Sequence, residues 1–215
     1  MAFPFLAIFL AFVIFLAIRY KSTDAKVQKM QDDFWEREAQ ANITPQINLD
    51  NLTYITIPLD KFPLGFSDEP AILEMENKLR ELSTHRMLNL TGKTNTELKE
   101  TYGVGNLDTV ASYGDDYDKL TVLLKDYATA LINADMIDEA VAVLEYGVGI
   151  KTDVSQNYIL LGDCYKSLGK ISKIGYLKDQ VESLNLVLGT SIINHLNELL
   201  DDPDAVVEHF STESK

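Results

Sequence analysis

The sequence is poor in the residues that crosslink a fold or hold a metal ion. Its 215 residues include one cysteine and three histidines. A single cysteine excludes an intrachain disulfide, and His85, His195 and His209 lack the mutual spacing of metal ligands. We therefore expect neither a metal site nor a covalent crosslink, so the fold must depend on packing.

Basic charge is also scarce. The 19 Lys and Arg residues face 33 Asp and Glu residues, which gives a net charge of -14 at pH 7. Proteins that bind nucleic acid neutralise its phosphates with a surplus of positive charge. On this composition we expect no nucleic acid as a partner.

Complete catalytic and cofactor-binding motifs are lacking as well. Gly92-Lys93-Thr94 has the ending of a phosphate-binding P-loop, but Met87 stands where that loop requires its first glycine. Gly103-Val104-Gly105 is followed by Asp108 where a dinucleotide-binding loop has its third glycine. Cys164 has no nearby histidine to activate a thiolate. We expect no catalytic, cofactor-binding or metal-ligating residue, no small-molecule cofactor and no enzymatic activity.

One long apolar run stands at the N-terminus. Residues 2–18 are all apolar or small, and Arg19 is the first charged side chain. The run predicts an uncleaved transmembrane anchor over residues 2–20, because a signal peptide would carry a basic residue before it. The positive-inside rule then predicts a single-pass protein of the cell membrane with a cytoplasmic C-terminal domain. The flanking cations all follow the run: Arg19, Lys21, Lys26 and Lys29.

The rest of the chain divides by pattern. Residues 21–46 carry apolar side chains at helical spacing and predict a juxtamembrane helical stalk. Residues 47–66 mix Pro and Thr with apolar residues and predict a short extended arm, packed along a helical body. Residues 67–200 predict a helical domain, with a capping box at Thr94-Asn95-Thr96-Glu97. The last segment, 201–215, is predicted to be a flexible tail.

Two segments of the helical domain repeat with a period of 34 residues. Leu124, Tyr127, Ala128 and Leu131 have the same spacing as Tyr158, Leu161, Gly162 and Tyr165, and 158 − 124 = 34. In the first repeat the second helix continues with Ala140 and Leu144, whereas the second repeat has Ile174 and Lys178 there.

This pattern resembles a tetratricopeptide repeat over about residues 117–186, although Thr152 and Leu186 replace the terminal proline. The resemblance implies stacked antiparallel helical hairpins, and the stripe from Ile192 to Leu200 predicts a capping helix. The predicted fold class is therefore all-α: an N-terminal transmembrane helix followed by a tetratricopeptide-like hairpin domain with a short extended arm. The order of segments, including Phe34-Trp35, is also similar to uncharacterised membrane-anchored proteins of anaerobic Gram-positive bacteria. That second similarity implies no activity.

The predicted function is that of a membrane-anchored helical-repeat adaptor that binds a protein or peptide partner at the cytoplasmic face. In stacked repeats the first helices line a concave groove. The side chains expected in that groove are Lys125, Thr129, Asn133, Gln156, Asp163 and Lys166. Two alternatives stay open: an extracytoplasmic factor for envelope assembly or secretion, and a membrane-tethered enzyme with an unrecognised site.

Overall fold

The computed structural model describes residues 4–184 and 186–201, apart from the side chains at 4–7, 17, 18 and 22. The predicted tail lies outside the described residues beyond Asp201. The helices follow one another along the chain in this order: α1 Pro4–Ala41, α2 Pro70–Leu82, α3 Asn95–Tyr102, α4 Leu107–Asn133, α5 Ile137–Gly149, α6 Ser155–Ser167, α7 Ile171–Leu184 and α8 Gly189–Asp201. The described residues form no strand; an isolated bridge joins Ile55 to Met87.

The described residues are thus all-α, but the transmembrane part of the predicted fold class is wrong. In the described part of the chain, no helix combines the length and apolarity needed to cross a membrane. Helix α1 begins at Pro4 and its apolar stretch ends before Arg19. From Arg19 onward the same helix carries charged side chains, among them Lys21, Asp24 and Lys26. This finding overturns the predicted span over residues 2–20 and the cell-membrane location that followed from it.

The chain forms two compact units. The first contains the chain up to Asp50 together with Lys93–Asp108. In it the C-terminal end of α1 packs on α3, and Arg37 binds Glu100 through Nε–Oε1 and Nη2–Oε2 contacts of 2.7 and 2.6 Å. Glu38 accepts a hydrogen bond from Thr96 Oγ1 at 2.7 Å and pairs with Lys99.

The start of α3 has the capping box that the sequence predicts. Glu97 N donates to Thr94 Oγ1 at 3.3 Å, and Thr94 N donates to Glu97 Oε2 at 2.8 Å. Helix α3 ends at Gly103, whose φ is +86°. A Cβ at that position would lie 2.5 Å from the backbone of Gln46, so only glycine allows this close approach.

The second unit contains Asn51–Gly92 and the chain from Thr109 onward. Its N-terminal arm packs on the hairpins, where Ile57 and Phe62 are buried. Tyr127 Oη donates to the carbonyl of Pro63 at 3.0 Å, and Tyr146 Oη to that of Thr56 at 3.1 Å. Side-chain hydroxyls of the hairpins therefore bond backbone carbonyls of the arm that lack a strand partner.

The two hairpins, α4–α5 and α6–α7, turn in the same way. Asp135 has a φ of 60° and Gly169 a φ of 67°. The next residue in each turn, Met136 or Lys170, donates its N–H back to the carbonyl five residues earlier, at 2.9 and 2.7 Å. These positions differ by 34 residues, because 169 − 135 = 34 and 170 − 136 = 34.

Small residues lie where helices of the second unit approach closely. Ala128 and Ala140 are fully buried. A Cβ on Gly162 of α6 would lie 2.6 Å from Leu196 Cδ2 and 3.1 Å from Leu199 Cδ1, both on α8. Helix α8 therefore packs directly on α6 and buries the apolar side chains Ile192, Leu196 and Leu199.

Candidate partner-binding surface

The six side chains predicted to line a groove have different environments. Lys125 and Thr129 are half-buried on α4, and Asn133 is exposed at its C-terminus. Gln156 is exposed in the first turn of α6. The structure places three of the six on one helix, and their spacing of four residues brings them near one face of α4.

Asp163 and Lys166 are instead buried beneath α8. Lys166 Nζ donates to the carbonyl of Leu199 at 2.9 Å, and His195 Nε2 lies 2.7 Å from Asp163 Oδ1. The hydrogen bond with Asp163 is the main reason why the pKa of His195 is raised. These groups attach the last helix to the second hairpin, so their substitution reports on stability and not on partner binding.

An accessible groove lies between α2 and α4. It is a cleft of about 600 Å³, with an apolar floor and a charged rim. A smaller cleft of about 260 Å³ shares Lys78, Lys119 and Leu123 with it and extends it to Leu82 and His85. The larger cleft is lined by Met75, Lys78, Asp115, Asp118, Lys119, Val122, Leu123 and Asp126. We call the two clefts together the α2/α4 groove.

Val122 gives this groove an apolar contact point. Its side chain is 48% exposed although it lies on the same helix as the fully buried Leu120 and Leu124. The positions Asp115, Asp118, Val122 and Asp126 recur at three and four residues and so follow one face of α4. Thr129 and Asn133 continue this spacing, since 126 + 3 = 129 and 129 + 4 = 133.

On the rim of the groove, acidic side chains outnumber basic ones, and the basic ones are already paired. Lys119 Nζ contacts Asp116 Oδ1 at 2.7 Å, and this contact lowers the pKa of Asp116. Lys78 Nζ contacts Glu74 Oε1 at 2.6 Å. Both groove lysines are therefore engaged by acids of their own helices. The pKa of Asp118 is raised by desolvation and by the nearby charges of Asp153 and Asp115.

A second cleft, of about 300 Å³, lies among α5, α6 and α7. Its polar groups bind one another: Tyr165 Oη and Lys173 Nζ both donate to Glu145 Oε1 at 2.7 Å. The ammonium of Lys173 also lies 5.1 Å from the centroid of the Tyr165 ring. This cleft offers a partner fewer unengaged groups than the α2/α4 groove.

Reactive side chains in the described part of the chain are held in structural roles. Cys164 is buried, and burial raises the pKa of its thiol to about 12. A thiol so hard to ionise is a poor nucleophile and a poor metal ligand. His85 Nδ1 contacts Asp116 Oδ2 at 2.9 Å, and His195 contacts Asp163. Among the described residues, no group of three or more His, Cys, Asp and Glu side chains could hold a metal ion.

Sequence reasoning missed the contribution of α2 to the groove. Met75, Lys78 and Leu82 reach α4 only through contacts between segments separated by about forty residues, which no local pattern encodes. The one available signal was Val122, an apolar residue out of phase with the buried positions of α4.

Comparison with known proteins yields no relative. The chain matches no protein-family model, no curated protein and no solved structure. The tetratricopeptide resemblance therefore stays a prediction from the sequence, and a functional argument has to depend on the geometry of this chain.

Proposed function

We propose that the second unit is a noncatalytic interaction module that binds a protein or peptide partner in the α2/α4 groove. The observation that carries this proposal is the exposed Val122 on the floor of an open cleft whose rim is acidic. Helical hairpins commonly present such grooves to extended peptides or helices.

The chemistry of the groove suggests what the partner presents. An apolar side chain of the partner would contact Val122, Leu123 and Met75. A neighbouring Lys or Arg would approach Asp115 and Asp118, whose charges repel each other, and so relieve that repulsion. Thr129 and Asn133 would supply hydrogen bonds further along α4. We therefore expect a segment with an apolar side chain flanked by basic ones.

We assign no reaction to the chain. Cys164 lies in the core with a strongly raised pKa, and His85 and His195 each contact a carboxylate, Asp116 and Asp163 respectively. Catalysis would need a nucleophile, a base and a stabilising donor converging on one cavity. The α2/α4 groove brings together acids, lysines and aliphatic side chains instead.

A selection of phage-displayed random peptides on the immobilised full chain tests this function. We expect the enriched peptides to contain a large apolar residue beside Lys or Arg. Val122→Lys should weaken their binding by at least ten-fold in fluorescence anisotropy, because it removes the apolar contact and adds a like charge.

The matched control is Val187→Lys, since Val187 is fully exposed outside the groove. Both variants should melt at the temperature of the parent, because substitutions of exposed side chains change stability little. Peptides that bind Val122→Lys as well as the parent would place the binding surface elsewhere. Failure to enrich any peptide would count against the function itself.

A further inference from the structure

Helix α1 carries an exposed apolar stripe with a seven-residue period. Its members alternate at spacings of three and four, as in the a and d positions of a heptad repeat. We call this stripe the α1 seam: Val13, Leu16, Tyr20, Val27, Met30 and Phe34. Thr23 occupies the remaining position, where 20 + 3 = 23 and 23 + 4 = 27. From Val13 to Phe34 the seam covers three heptads, a length of about 33 Å.

The seam is uncovered within the described part of the protein. The exposed fraction is lowest for Leu16, at 37%, and reaches 67% for Met30 and 68% for Tyr20. After Arg37 the repeat reaches Ala41, which is by contrast fully buried in the unit that contains α3. The chain therefore covers the end of this stripe and leaves the preceding three heptads open.

The composition of the seam fits a second copy of the same helix. Val13 and Val27 stand at a positions and Leu16 at a d position, residue types that favour parallel two-stranded coiled coils there, while aromatic side chains fill the other two a positions. Thr23 brings no unsatisfied hydroxyl to such an interface, because its Oγ1 donates to the carbonyl of Arg19 at 2.9 Å. A helix with a heptad stripe is complementary to itself when two copies run parallel.

The charges beside the seam support the parallel arrangement. With Tyr20 at an a position, Arg19 is a g residue and Asp24 is the following e residue. In a parallel pair, the g residue of one helix approaches the next e residue of the other, so Arg19 would meet Asp24 twice by symmetry. Lys26 would face the neutral Gln31, and Asp33 would face Glu38, which already pairs with Lys99.

We propose that two copies of this chain associate through the α1 seam as a parallel coiled coil extending from Val13 to Phe34. The interface ends at Phe34 because Arg37 and Glu38, which follow it, bind side chains of α3. This association is independent of the groove in the second unit, and it makes the interaction module bivalent. Two linked grooves bind a partner with two target segments more tightly than one groove does.

Disulfide crosslinking of the full chain tests the geometry. The parent has one cysteine, the buried Cys164, and provides the baseline. In a non-ionic detergent with a mild oxidant, Met30→Cys should crosslink to twice the 24.1 kDa mass of the chain, because equivalent d positions meet across a parallel pair. Gln28→Cys, an exposed position on the other side of α1, is the matched control and should crosslink at least ten-fold more slowly.

Sedimentation equilibrium of the same protein tests the energetics. Val27→Glu places two carboxylates in the seam and should raise the dissociation constant at least ten-fold, whereas Gln28→Glu should leave it unchanged. Arg19→Glu should raise it about five-fold, and the double variant Arg19→Glu/Asp24→Lys should restore it. Circular dichroism of each variant verifies that the helical fold is retained.

Several outcomes would overturn the proposal. A parent that sediments as a monomer at 24.1 kDa refutes the association. A dimer in which Met30→Cys fails to crosslink refutes the parallel register. Equal crosslinking of Met30→Cys and Gln28→Cys would show that the apolar end of α1 associates nonspecifically, without a defined interface.

Discussion

At the scale of single residues, the turns of the two hairpins show what the backbone demands of a side chain. Asp135 and Gly169 are equivalent positions with φ near +60°. Glycine, which has no Cβ, adopts this conformation without strain, whereas an L-residue in it is destabilised by about 1–2 kcal/mol. The first hairpin therefore carries a small strain that the second avoids.

The positive φ of Gly169 and the position of Gly175 inside a helix predict opposite effects when each is replaced by alanine. Gly169→Ala should lower the free energy of unfolding by about 1 kcal/mol; because nothing lies within 4 Å of the added Cβ, the cost is one of backbone conformation alone. Gly175→Ala is the matched control, since Gly175 also has open space but lies inside α7. It should raise stability by about 0.5–1 kcal/mol in urea denaturation.

Asp135→Gly should likewise stabilise the protein, by up to about 1 kcal/mol. An equal loss for both alanine substitutions would show that the positive φ of Gly169 is not the cause.

The buried contact between His195 and Asp163 gives stability a dependence on pH. Asp163 is fully buried, and its hydrogen bond raises the pKa of His195, with a further contribution from the charge of Glu198. A group whose pKa is raised on folding stabilises the protein below its unfolded pKa, about 6.5 for histidine. That contribution is lost as pH rises through the folded pKa.

We therefore expect the free energy of unfolding to fall as the pH is raised above about 6.5. The difference between the parent and His195→Gln isolates this effect from that of the many carboxylates, because glutamine does not titrate. The same slope in both proteins over this range would contradict the assignment.

At the scale of elements, α6 and α8 are packed as closely as a glycine allows. Gly162→Ala should gain up to about 1 kcal/mol from helix propensity but push against Leu196, whose Cδ2 would lie 2.6 Å from the new Cβ. In the parent we expect the steric cost to cancel or exceed the gain. In a Leu196→Ala background the obstruction is removed, so the same substitution should be stabilising.

A double-mutant cycle in urea measures this coupling, for which contacting residues usually give about 0.5–3 kcal/mol. Additive effects of Gly162→Ala and Leu196→Ala would show that α8 does not pack on Gly162. Gly175→Ala provides the control: a Cβ there would meet nothing within 4 Å, so the substitution should have the same effect in both backgrounds.

Element by element, local signals in the sequence were sufficient where a helix boundary is made by neighbouring residues. The capping box of Thr94 and Glu97 is of this kind. They failed where distant segments meet. Asp163 has the spacing of a groove residue, yet it is covered by α8.

Helices α4 and α1 each differ from what a local sequence pattern indicates. Helix α4 runs unbroken from Leu107 through Gly114. A Cβ on Gly114 would lie 2.9 Å from Leu90 Cδ1. A tertiary contact therefore explains this glycine, which the local pattern treats as a break. In α1 the apolar run predicts a membrane span over residues 2–20, whereas no helix among the described residues is both long and apolar enough for one.

At the scale of the whole molecule, the two units depend on α1 to different degrees. The described side chains from Ile8 to Leu16 are exposed, and so are the seam residues up to Phe34. Only the last turns of α1, with Arg37, Glu38 and Ala41, pack in the first unit. The part of α1 before Phe34 thus contributes little buried area to the fold of a single chain.

Deletion of residues 1–33 should therefore leave the thermal unfolding midpoint of the remaining protein within about 2 °C of the parent, since little apolar surface is lost from either core. Deletion of residues 1–41 is the matched control. It also removes Arg37, Glu38 and the buried Ala41, and it leaves Lys99 and Glu100 without their partners on α1. We expect this longer deletion to lower the midpoint by several degrees, because losing ion pairs and a buried apolar side chain both destabilise a small unit. Differential scanning calorimetry at a concentration at which the parent is monomeric distinguishes the two cases, since association itself shifts the midpoint. A large loss with the shorter deletion would then mean that the exposed seam supports the fold within one chain.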